Sequence, residues 1–108
     1  MSRHSKRFQG ASDAQLGVAW YSREAWERLR QLADDREALD DTFEDWERGA
    51  LAMVRDLEAA GRHVRKVLID VDALVKWCRE RHCRIDQAAR AEYVTYLLQG
   101  ERRGSARA

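Results

Sequence analysis

The chain has 108 residues, a formal net charge of +1, and 44% hydrophobic residues including four Trp, three Tyr and two Phe. That is one domain's length with enough apolar side chain for one core, which excludes wholesale disorder. The near-neutral balance is not that of a dedicated nucleic-acid binder, and no apolar run approaches the ~18–20 residues of a membrane span.

Charge is unevenly spread along the chain. Residues 1–10 carry Arg3, Lys6 and Arg7, whereas residues 11–61 hold thirteen acids against six bases, and residues 62–90 hold eight bases against four acids. A chain with an acidic first half and a basic second half is suited to electrostatic steering or self-association. Proline is absent, so long stretches run without the strongest helix breaker.

Residues 1–12 and 100–108 are polar, small and basic, which predicts disordered tails around a single domain over 13–99. "LGVAWY", from Leu16, reads as a strand. Ser22 follows as an N-cap, and Ala25, Trp26, Leu29, Leu32 and Ala33 fall on one face of a first helix. The acidic run "DDREALDD" closes it, with Leu39 as its apolar anchor. Thr42 opens a second helix, with Asp45 three residues on. Phe43, Trp46, Ala50, Met53, Val54 and Leu57 give it an amphipathic stripe, and Gly61 stops it in a left-handed turn.

"HVRKVLID" then reads as a second strand. Asp70 or Asp72 caps a third helix with apolar positions Val71, Leu74, Val75, Trp77 and Cys78. A fourth starts near Asp86 after Ile85, carries Ala88, Ala89, Tyr93, Tyr96 and Leu97 inward, and ends at Gly100. The expected fold class is α+β, two short strands with four helices. Both halves run strand, cap, helix, helix, Gly. Laying "VAWYSREAWERLRQ" over "VLIDVDALVKWCRE" places Val18 on Val67, Trp20 on Ile69 and Ser22 on Val71, which suggests a tandem β-α-α repeat. Two strands make a marginal sheet with open edges, so pairing across a two-fold axis into a homodimer is expected.

Chemistry is sparse. In "KWCRERHC", Cys78 and His82 are one helical turn apart, as metal ligands can be, but zinc needs three or four ligands and there is no Cys-x-x-Cys. Cys78 falls in the core stripe, where a buried thiol acts as a small hydrophobe. His82 and Cys83 mark the frayed helix end, and two cysteines on different faces of one helix do not bridge easily. Cys83 lies among Arg79, Arg81 and Arg84 and is the better candidate for a reactive thiol. The run "DDREALDDTFEDWE" holds eight carboxylates in fourteen residues. It lacks the spacing and turn glycine of a calcium loop and reads as a solvated loop and helix start. There is no Gly-rich phosphate loop, nucleophile elbow or HExxH. No cofactor, metal or catalytic residue is therefore assigned, and the protein is read as not an enzyme.

The chain resembles short bacterial proteins of uncharacterised activity with this layout. The resemblance rests on "VAWY", "DTFEDWE", and "VRKVLID" leading into a helix with "WC", across roughly residues 17–98. It implies the fold and carries no site. An excess of Arg over Lys, seventeen to three, also suggests a GC-rich bacterial gene. The N-terminus has no apolar segment of a secretory signal, and two cysteines make no disulfide framework, so a cytoplasmic protein with reduced thiols is expected.

The expected function is protein–protein association or regulation, with a homodimer or a protein as partner. The candidate partner surface is Trp20, Tyr21, Arg62, Arg65 and Lys66. Consecutive Trp20 and Tyr21 point to opposite faces of the strand, so one of them lies on the less covered side and can anchor a partner. The alternative is a nucleic-acid-binding regulator using the basic second half, with Arg62, His63, Arg65, Lys66, Lys76, Arg79, Arg81 and Arg84 on phosphates and Gln87, Arg90 and Thr95 as readers.

Overall fold

The computed structural model describes residues 15–107, with side chains through residue 101. The N-terminal basic residues Arg3, Lys6 and Arg7 lie outside the described residues. The elements run β1 (Leu16–Trp20), α1 (Arg23–Leu32), a 3-10 turn (Arg36–Ala38), α2 (Phe43–Ala59), β2 (Val64–Leu68), α3 (Val71–Glu80) and α4 (Gln87–Arg107). The class is α+β, as the sequence predicts.

Each helix opens on a side chain suited to the task. The first orphan N–H groups of α1, α2, α3 and α4 are taken by Ser22, Thr42, Asp70 and Asp86, which accept from Ala25, Asp45, Ala73 and Ala89. Asp70, not Asp72, is thus the cap of α3. The helix ends also share a device. At the end of α2, Gly61 has φ 86°, its N–H reaches the Glu58 carbonyl, and the Arg62 N–H reaches that of Leu57. At the end of α3, His82 has φ 56°, its N–H reaches Arg79, and the Cys83 N–H reaches Cys78. Both are Schellman endings, which satisfy carbonyls that the helix itself leaves unpaired.

β1 and β2 pair in parallel, with Leu16 opposite Val64 and Trp20 opposite Leu68. The helices of the first half form the crossover that a parallel pair requires. The register corrects the sequence overlay by one residue: Val18 faces Lys66 rather than Val67, and Trp20 faces Leu68 rather than Ile69. The caps agree, since Ser22 answers to Asp70 and not to Val71. In this frame buried Tyr21 answers to buried Ile69, and Trp26 to Leu74. A strand repeats every two residues, so the one-residue slip had moved each match to the wrong face.

The core joins Tyr21, Trp26 and Leu29 to Val67, Ile69, Val71, Leu74, Val75, Trp77 and Cys78, with Ala89, Tyr93 and Val94 of α4. All five positions assigned to the stripe of α3 are buried. The stripe of α4 differs from its expectation. Ala88 and Tyr96 are exposed, and Val94 is buried with Leu98 packed against the core. Gly100 does not end α4, which continues to Arg107. Gly100 has no neighbour near its missing side chain and costs the helix only its extra backbone freedom.

Gly17 determines how close α4 comes to β1. A Cβ there would lie 2.6 Å from both Val94 Cγ1 and Leu98 Cδ1. Leu98 can turn its end away, but Val94 is β-branched and buried, so it cannot yield cheaply. Gly17→Ala is expected to lower unfolding stability by about 1–3 kcal/mol in denaturant melts. Adding Val94→Ala to Gly17→Ala should cost less than the sum of the two single changes, because the removed methyl groups make room.

Candidate functional site: a strand-edge cleft between two helices

β1 and its flanking helices α2 and α4 enclose a concavity among the described residues. The cleft has a volume of about 890 Å³. Leu16, Gly17, Val18 and Ala19 form its floor; Trp46, Ala50, Met53 and Leu57 form the α2 wall; Arg90, Val94 and Leu98 stand on the α4 wall. Tyr21 and Trp26 close its inner end. Four consecutive strand residues line it although their side chains alternate between faces. The cleft therefore follows the outer edge of β1 rather than one face of the sheet.

The hydrogen-bond pattern defines that edge. The Leu16 N–H donates to the His63 carbonyl at 2.8 Å, and the Ile69 N–H donates to the Trp20 carbonyl at 2.9 Å. In a parallel ladder alternate residues bond the same neighbour, so Leu16, Val18 and Trp20 turn their peptide groups to β2. Gly17 and Ala19 turn theirs away from it. The sheet has two strands, and among the described residues neither N–H finds a backbone partner outside the sheet. Two donors and two acceptors thus face an apolar cleft, the arrangement of an uncovered edge strand.

An aromatic cluster fixes the α2 wall. Trp46 has its ring centroid 5.1 Å from Trp20, 5.4 Å from Tyr21 and 5.3 Å from Trp26, the last stacked. One side chain thereby ties α2 to β1 and α1. Such ring pairs are worth about 0.5–1.5 kcal/mol each beyond their buried area. Below it, Trp26 Nε1 is buried with no partner among the described residues. Met53, expected in the inner stripe of α2, is instead 44% exposed on the cleft wall, because no element of the described fold covers that side.

An ion pair fixes the α4 wall. Arg90 donates through both terminal nitrogens to Asp35, at 2.9 and 2.8 Å, with side chains 11% and 18% exposed. The bidentate fork suits a carboxylate better than any point charge. Arg90 holds Asp35 below the usual carboxylate range, chiefly through these hydrogen bonds. Burial opposes the charge on Arg90, and Asp35 outweighs it, so the guanidinium keeps its proton more tightly than usual. Tyr21 nearby is pushed up to about 12, mainly by burial, and stays a phenol. Asp34 adds a clasp: its N–H donates to the Ile85 carbonyl at 2.8 Å, and its carboxylate accepts from the Ile85 N–H at 2.7 Å. Asp34 and Asp35 therefore dock the entry of α4 onto the end of α1.

Most of the acidic run is solvated as expected, with Asp35 the clear exception, and several of its carboxylates carry ion pairs. Asp35 pairs with Arg90, Asp41 with Arg30 at 3.7 Å, Glu44 with Arg23 at 2.6 Å and Asp45 with Arg48 at 3.1 Å. The one sequence signal available was the excess of arginine, which favours forked pairing with carboxylates.

The candidate surface residues separate. Tyr21, just after β1, is 4% exposed in the core and meets the cleft only at its closed inner end, so it is not the exposed anchor expected of it. Trp20 is half-buried on the opposite face, with Lys66 Nζ 4.5 Å from its ring centroid. Arg62 is exposed, whereas Arg65 is paired with Glu101 at 2.6 Å. The structure does not bring these five onto one surface with the cleft. Arg90, expected as a nucleic-acid reader, is committed to Asp35.

"KWCRERHC" resolves into the end of α3. Cys78 is buried in the core, and Cys83 is exposed. His82 in the left-handed region turns the chain back, so Cys83 is not on the helix at all and the different-face argument fails; its backbone N–H donates to the Cys78 carbonyl at 3.0 Å. Among the described residues no three His, Cys, Asp or Glu side chains gather as metal ligands, and no helix is long and apolar enough to cross a membrane. Comparison with family models, with curated proteins and with solved structures returns no match.

The depressed Asp35 sets a sign for acid behaviour. A carboxylate held low contributes stability above its unfolded pKa and loses it as pH falls through the folded one. Wild-type stability should therefore fall more steeply below the ordinary carboxylate range than that of Asp35→Asn, measured by urea melts across pH. A double-mutant cycle of Asp35→Ala and Arg90→Ala should give a favourable coupling of roughly 1–3 kcal/mol near neutral pH, shrinking in acid.

Proposed function

We propose that this chain is a non-enzymatic protein–protein association domain that receives an extended segment of a partner as a third strand on β1. The observation that carries the reading is the pair of outward-facing peptide groups at Gly17 and Ala19, sunk in an apolar cleft. Main-chain hydrogen bonds give such strand addition its affinity, and wall pockets select alternate side chains. The five residues of β1 match a segment about 17 Å long. Leu16, Val18, Met53, Leu57 and Leu98 favour an apolar occupant. A cytoplasmic location, with both thiols free, fits this reading.

Self-association is the second reading, and its observation is Leu68. This residue ends β2, does not line the cleft and is 71% exposed. Two copies pairing along β2 would cover it. Binding of nucleic acid draws less support, since Arg65, Arg81 and Arg90 already face Glu101, Glu92 and Asp35.

A phage-displayed library of unstructured peptides tests the proposal directly. Selected peptides should alternate apolar residues and should bind wild type in solution. Ala19→Pro removes one outward N–H while leaving the ladder to β2 intact, as proline does on an edge strand. It should weaken binding tenfold or more without loss of the folded state. Met53→Glu, at an exposed wall position, should do the same by placing a charge in the cleft. Peptides that bind both variants as well as wild type, or no enrichment at all, would contradict the proposal. A concentration-independent monomer in light scattering would remove the second reading alone.

A further inference from the structure

The end of α3 brings together two groups that the cleft does not use. In the Schellman ending the Cys83 N–H donates to the Cys78 carbonyl, five residues back, at 3.0 Å. A side-chain contact between those two positions frequently accompanies this motif. The second observation is proximity: the turn returns Cys83 close enough to the Cys78 thiol to help push it up. Here the usual apolar pair is a pair of sulfurs. The turn between them depends on His82 at φ 56°, a conformation that costs a residue with a Cβ something and persists because the surroundings hold it.

The two thiols differ in the way that a reactive and a resolving cysteine differ. Cys83 is exposed, and Cys78 is fully buried. A small oxidant can reach the first and not the second. Burial, with the neighbouring Cys83, Asp86 and Asp34, pushes Cys78 up to about 11, so it rests as a thiol and is not the group that meets the oxidant. An exposed cysteine poised beside a resolving one is the arrangement of a reversibly oxidised site.

We infer that Cys78 and Cys83 form a reversible dithiol–disulfide site, oxidised by peroxide and reopened by thiols. The Cys83 thiolate attacks one peroxide oxygen, the O–O bond breaks, and hydroxide leaves, giving a sulfenic acid. Cys78 then attacks the Cys83 sulfur as its own proton is lost. The S–O bond breaks, the S–S bond forms, and water leaves. In sum two thiols and one hydrogen peroxide give one disulfide and two waters. The two sulfur atoms supply two electrons, and the peroxide takes them. The bond would lock the turn at His82 and, with the Asp34–Ile85 clasp beside it, the point where α4 enters the fold.

The experiment uses the full chain in its reduced form, treated with hydrogen peroxide and then alkylated with a maleimide before and after unfolding. Before oxidation the folded chain should take one label, on Cys83, and the unfolded chain two. After oxidation it should take none in either state, weigh two hydrogens less than the reduced chain, and yield a bridged peptide joining Cys78 to Cys83 that dithiothreitol opens. Cys83→Ser should leave Cys78 a free thiol after peroxide, recovered by labelling once unfolded. Two results overturn the inference: wild-type Cys83 that passes to sulfinic acid while Cys78 remains alkylatable, or disulfides that link two chains through Cys83. If Cys83→Ser does not fold, the peptide map of the wild-type chain decides between these outcomes alone.

Discussion

Parallel pairing of two five-residue strands governs the rest of this structure. A parallel pair cannot be joined by a hairpin, so the 43 residues between Trp20 and Val64 must travel out and back, and they do so as α1 and α2. With two strands among the described residues, the sheet cannot bury itself, and α1, α3 and α4 supply the apolar cover that makes Val67, Ile69 and Tyr21 a core. The same pairing leaves the far side of β1 with its Gly17 and Ala19 peptide groups turned outward. Core and cleft are consequences of one register.

Two side-chain devices hold the walls of that cleft apart. On one side Trp46 stacks with Trp26 and meets Trp20 and Tyr21 edge-on, which anchors α2 by its first turns. On the other, Asp34 and Asp35 reach from the end of α1 to Ile85 and Arg90 at the start of α4. The ion pair is largely withdrawn from water, so it specifies where α4 sits more than it adds to net stability. Gly17 then sets how closely α4 lies on the strand.

Much of the fold was legible because it is written in local chemistry. Ser22, Thr42 and Asp86 cap the helices they were expected to open, the stripe of α3 is buried as read, and Gly61 ends α2 in the left-handed region. What escaped was long-range or one residue out of phase. The overlay of the halves slipped by one because Val18 and Val67 match as residue types, whereas the sheet and the caps align Ser22 with Asp70. His82 was read as fraying because a left-handed residue is expected to be glycine; its turn hides the approach of Cys83 to Cys78. Asp35 looked solvated, since nothing local points to an arginine fifty-five positions away. The cleft itself left one trace, Met53 in a stripe with no described element to receive it.

The most direct test is amide hydrogen exchange of the free protein, resolved by residue along β1. Leu16, Val18 and Trp20 should be protected by their bonds to β2, and Gly17 and Ala19 should exchange far faster, a period-two alternation along one strand. Uniform protection across Leu16–Trp20 would mean that the outer edge is already covered, and the account of the cleft as a strand acceptor would fail.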